Sequence, residues 1–134
     1  GFLKGYGIKA GAVALSIAHD SHNIIVVGVS DEEMEFAVNS LIAQEGGMVL
    51  VKEGKVIESM PMPIAGLMSD QSGEWVDEKL TAIHAKAYEE LGIAGDVEPV
   101  MTLCFMSLAV IPEVKLTDMG LFDVTTFSFI PVEA

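Results

Sequence analysis

The sequence predicts one α/β domain spanning residues 1–134, a mixed β-sheet with two main amphipathic helices packed on it. Three observations lead there. Short β-prone apolar runs alternate with two stretches whose apolar residues recur every three to four positions. Glycines and polar clusters mark the junctions. No repeat, low-complexity tract or linker divides the chain, and 134 residues suffice for one hydrophobic core.

The first run, residues 11–18, and the second, residues 24–29, flank the polar turn His19-Asp20-Ser21-His22-Asn23 and read as strand, turn, strand. The second is apolar on both faces, the pattern of a strand covered on both sides, and is expected at the centre of the sheet. Ser30-Asp31-Glu32-Glu33 is a capping box: the Ser30 hydroxyl accepts from the third helical amide while Glu33 reaches back to the Ser30 amide. Met34, Ala37, Val38, Leu41 and Ile42 then trace one helical face, and Gly46-Gly47 supplies the left-handed exit. Residues 48–51 and 55–58 flank Glu53-Gly54 as a β-hairpin. Met60-Pro61-Met62-Pro63 lacks two amide donors, so the chain is expected to leave the sheet there. A second helical stripe, Val76, Leu80, Ile83, Ala87 and Leu91, starts near Trp75 with Asp77 and Glu78 in its first turn and stops at Gly92. Beyond Pro99 come a buried apolar segment of ambiguous type over 100–111, a polar passage over 115–118 and a strand-like run over 124–130.

Twenty acidic side chains against seven basic ones give a formal charge of -13, and every basic residue is a lysine. Nucleic acids and anionic membranes are gripped by clustered Lys and Arg, so neither is expected as a partner. The longest near-continuous apolar stretch, 100–111, falls far short of the roughly 20 residues that span a bilayer. The single cysteine, Cys104, can form no internal disulfide, and a lone thiol in an apolar run suits a reducing cytoplasm. The chain begins at Gly1 without a leader pattern and reads as a piece of something longer.

The densest polar cluster is the turn His19, Asp20, Ser21, His22, Asn23. Two imidazoles and a carboxylate within four positions offer half of a divalent-metal site, through His19, Asp20 and His22. Against that stands the plain reading of a polar turn whose Asp, Ser and Asn satisfy local backbone groups. His84 has no second ligand one turn away and reads as a partly buried structural histidine. Cys104 reads as a small buried apolar side chain rather than a nucleophile. Met60, Met62, Met68, Met101 and Met106 read mainly as core fillers, with a docking surface around the two prolines as the alternative. Gly5, Gly7 and Gly11 have the wrong spacing for a dinucleotide loop, and neither a P-loop, H-E-x-x-H, a G-x-S-x-G elbow nor the zinc nucleobase deaminase signature is present.

Three long segments in order carry a resemblance: His19 through Gly28, Pro63-Ile64-Ala65-Gly66-Leu67-Met68-Ser69-Asp70, and Val110 through Asp118. Over nearly its whole length, Gly1 to about Val124, the chain resembles the C-terminal domain of bacterial adenine deaminase, in the amidohydrolase superfamily. Cys104, where similar sequences carry serine, and Met119, where they carry a basic residue, depart from the pattern away from the polar turn. The resemblance implies hydrolysis of adenine to hypoxanthine with release of ammonia, in purine salvage, by a cytoplasmic homo-oligomer that uses a divalent metal, manganese or iron, to activate water. Its principal ligands, beginning with H-x-H, belong to an upstream (β/α)₈ barrel of about 250 residues, which this chain is too short to contain. The expected role here is therefore auxiliary. The domain packs on the barrel, with His19–Asn23 facing the active-site mouth or holding an accessory metal, and the chain alone is inactive. The alternative is a structural and oligomerisation module without active-site contact.

Overall fold

A computed structural model describes residues 1–132. Two long helices lie against a four-stranded sheet, as the periodicity implies. The elements run β1 (Ala12–Leu15), β2 (Ile25–Gly28), α1 (Asp31–Ala43), β3 (Gly47–Lys52), β4 (Lys55–Pro61), α2 (Gly73–Glu89), α3 (Met101–Cys104), β5 (Val114–Thr117), β6 (Gly120–Asp123) and β7 (Ser128–Ile130). The first sheet has the order β2-β1-β3-β4 and the second β5-β6-β7. Among the described residues every ladder is antiparallel, without the parallel component that a mixed sheet implies.

Strand alternation divides the main sheet between its helices. Ala12 and Ala14 of β1 and Val49 and Val51 of β3 point to one face, where Ala37 and Leu41 of α1 close over them. Val13, Leu15, Met48 and Leu50 point to the other, against Ile83, Ala87 and Leu91. Small residues set the spacing on the α1 side. A Cβ on Gly28 would lie 2.7 Å from both Ala12 Cβ and Met34 Cγ, so the helix sits on the sheet with no room for a side chain there.

Local signals explain the joints. Ser30 Oγ accepts from the Glu33 amide at 3.3 Å, but Glu33 does not close the box; its carboxylate takes the Gly54 amide at 3.3 Å and ties α1 to the hairpin. Glu53 and Gly54 have φ of 51° and 67°, the two left-handed residues a tight hairpin turn requires. α2 starts one turn earlier than expected: Ser72 caps it and Glu74 is its first-turn acid, leaving Asp77 and Glu78 inside the helix. β4 runs on through Pro61, where a missing amide costs nothing on an edge strand. Met60 and Met62 are buried, which favours core filling over docking for that pair.

Two strand placements differ from expectation. β2 is an edge strand, half-buried along its length, rather than the central strand its apolar sequence implies. The polar passage at 115–118 belongs to β5, and the run 124–130 splits into a turn and β7, because Asp123 accepts the Thr125 and Thr126 amides and reverses the chain. The ambiguous 100–111 segment is one short helix followed by turns. Among the described residues, no helix is long and apolar enough to cross a membrane.

Candidate functional site and its supporting shell

The turn between β1 and β2 is anchored on one side and open on the other. His19 donates its amide to the Cys104 carbonyl at 3.0 Å, and its ring lies 4.5 Å from that of Phe105. His19 Nδ1 is buried with no hydrogen-bond partner among the described residues. His22 takes a left-handed conformation (φ 51°), donates its amide to the Ala18 carbonyl at 2.7 Å and turns Nδ1 towards the Ala18 amide at 3.4 Å. Asp20, Ser21, His22 and Asn23 are exposed. The two imidazoles are thus held by different partners, one against α3 and one against its own turn.

That geometry tests the metal reading on its own terms. Among the described residues no three His, Cys, Asp or Glu side chains come together in a way that could hold a metal ion. Among the described residues His19, Asp20 and His22 therefore do not form a complete site by themselves.

Behind the turn lies a support that sequence spacing does not reveal. Glu98 accepts from the Val100 amide at 3.0 Å and from the Met101 amide, so it caps α3 although it lies outside it. Its other oxygen meets His84 Nε2 at 2.7 Å, which fastens α3 to α2. His84 is therefore a structural histidine, but a half-exposed one whose partner lies 14 residues on. Tyr6 closes the same region by donating its hydroxyl to the Pro99 carbonyl at 2.6 Å, and burial pushes its phenol well above the ordinary range. Burial, with the Glu98 charge second, also raises the Cys104 thiol, the opposite of what a nucleophile needs. Only the acid just before Pro99 and the apolar run hinted at this shell.

Asn23 lines a groove of about 1420 Å³ that β2 and β5 also line. Lys115 of β5 lines it and is only 7% exposed, with no salt bridge among the described residues. Nothing in the local residue pattern marks this lysine as buried.

Comparison with known proteins places the arrangement. Residues 1–128 match the family model for the adenine deaminase C-terminal domain. The chain is 75% identical over 132 residues to adenine deaminase 2 of Desulfotalea psychrophila, covering 98% of this chain and 23% of that protein. It is 53% identical over 130 residues to adenine deaminase of Halalkalibacterium halodurans, covering 97% and 22%. Against adenine deaminase of Bacillus subtilis it is 47% identical over 133 residues, covering 99% and 23%. The chain thus spans less than a quarter of the length of these relatives. It belongs to the adenine deaminase C-terminal domain family.

Proposed function

We propose that this domain serves as the C-terminal part of a metal-dependent adenine deaminase, which converts adenine and water to hypoxanthine and ammonia in cytoplasmic purine salvage. Whole-chain similarity to proteins of that name carries the reading. Bond breaking is assigned to the upstream barrel, since this chain gathers no metal-binding trio among its described residues. In this reading the domain packs on the barrel and presents the His19–Asn23 turn to the mouth of the active site. The support for that placement is its construction: four exposed polar residues on a turn whose first histidine is pinned to α3. Loops that carry function are built in this way, polar at the tip and rigid at the base. An accessory metal at His19, Asp20 and His22 would need a further donor from the barrel.

Replacing both His19 and His22 by alanine in the full-length enzyme is the test. Loss of an active-site support of this kind lowers turnover or metal content by roughly 10–100-fold. Unchanged turnover and metal content would remove the turn from the site. The isolated 134-residue chain is expected to release no ammonia from adenine, with or without added manganese or iron.

A second reading is favoured by one observation: Phe127, in the turn between β6 and β7, and Phe129 of β7 are 75% and 54% exposed. Apolar surface of this kind marks an interface, and the domain would then serve mainly in homo-oligomer assembly. Light scattering separates the two: variants that abolish self-association while leaving turnover intact support the assembly role.

A further inference from the structure

The groove beside β2 holds three features that the main core does not explain. Its floor is apolar: Ile24, beside β2, and Leu116 on β5 are 43% and 49% exposed. Its two walls are sheet edges, because β2 ends one sheet and β5 ends the other; β2 leaves a row of backbone groups unpaired within its sheet, whereas on β5 the Leu116 amide is already donated to the Met106 carbonyl at 3.1 Å. Within it, Lys115 is almost fully buried, and among the described residues its ammonium has only the carbonyl of Val114, at 3.5 Å, for a partner. A buried ammonium without a counter-charge is costly, whereas one that meets a carboxylate on docking becomes a specific anchor.

We propose that this groove docks the part of the same polypeptide that precedes Gly1, with a carboxylate of that part seated on Lys115. Two facts select this occupant over others. Matching relatives extend over more than four times the aligned length, and the matching family is a C-terminal domain, so most of such a protein precedes this region. The chain also enters the domain along this groove: Phe2 to Lys4 line it, and a Cβ on Gly1 would lie 3.6 Å from Leu116 Cδ2. An upstream surface is thereby delivered to the groove at high effective concentration. The open edge of β2 accepts an extended segment by adding a strand, and Lys115, the buried one of the two lysines that line the groove, supplies a cationic point for register. The inference rests on the chain being the C-terminal part of a longer protein, but not on the chemistry that protein performs.

The experiment uses the full-length polypeptide, with the photo-crosslinking residue p-benzoylphenylalanine at Leu116, which is half exposed. A crosslink within one polypeptide, to a peptide upstream of Gly1, is expected. Crosslinks to Gly1–Lys4, which line the groove, are expected beside it; a pattern with no peptide upstream of Gly1, whether it joins two copies, captures only another protein or stays within residues 1–134, would overturn the proposal. The role of Lys115 is read separately from the rate at which maleimide labels Leu116→Cys, resolved by peptide mass. Lys115→Met is expected to raise that rate at least about tenfold and Lys115→Arg to leave it within about threefold. Glu133→Gln is the control: if it matches Lys115→Met, the lysine pairs with its own C-terminal tail and the carboxylate assignment falls. Neither readout depends on turnover. Docking without deaminase activity would retain this inference and remove the proposed reaction, and activity without docking would do the reverse.

Discussion

Between Tyr6 and Cys104 the apolar side chains close over one another on both faces of a four-stranded sheet; between Val114 and Ile130 they stand on a three-stranded sheet that leaves Phe127 and Phe129 open. The first region contains Leu15, Leu41, Leu50, Ile83 and Leu91, each fully buried. The second has strands of three or four residues, and no helix packs across it among the described residues. Two or three short strands without a covered apolar face are marginal in water. One part of this chain is thus closed by its own side chains, and the other leaves apolar side chains uncovered among the described residues.

The comparison breaks most visibly in core substitutions. Leu50→Ala, at a fully buried site between β1 and β4, is expected to cost about 2–5 kcal/mol in denaturant unfolding of the isolated chain. Phe129→Ala, on a side chain that is 54% exposed, is expected to cost under about 1 kcal/mol in the same assay. Equal losses would show that the C-terminal sheet belongs to the same cooperative core.

Glu98 sharpens the boundary between the regions, because it joins α2 to α3 and α3 carries the contacts to His19. Glu98→Ala removes a charged acceptor from two amides, an effect of about 1.5–3 kcal/mol. Faster amide exchange at His19, whose acceptor is the Cys104 carbonyl, is the expected signature. Ser30→Ala should follow at about 1 kcal/mol through loss of the α1 cap.

The smallest effect concerns pH. Burial alone would raise Glu58, but the Lys79 ammonium at 2.8 Å and the Ser59 amide outweigh it and hold the carboxyl below its ordinary value. A depressed carboxyl contributes stability that is present above its unfolded value of about 4 and is lost as pH falls through the lower folded value. Glu58→Gln should therefore narrow the difference in thermal midpoint between neutral pH and pH 3, with an effect under about 1 kcal/mol.

How much of this was legible in the sequence depended on whether the signal was local. The α1 cap at Ser30, the Glu53-Gly54 turn and the stripe from Val76 to Leu91 all rest on neighbours within one turn, and all three stand in the structure. β2 was misplaced for an instructive reason. Its sequence is apolar on both sides, as for a covered strand, yet its outer edge lies along the open groove. The proposed docking of the preceding part of the polypeptide would supply such a cover. The C-terminal sheet was obscured because Lys115 interrupts its first strand as a charge, although the side chain is buried. At the site, the polar turn stood out by density alone. The His84–Glu98 pair and the seating of His19 on Phe105 did not, because they join residues 14 and 86 positions apart through tertiary packing.

Hydrogen exchange of the β5–β7 amides, measured in the isolated chain and again in the full-length polypeptide, tests most directly whether this domain is completed by what precedes it. Exchange in Val114–Ile130 should slow at least about tenfold in the full-length polypeptide, while the amides of β1 and β3 are protected in both. Equal exchange of the C-terminal sheet in the two proteins would contradict the account.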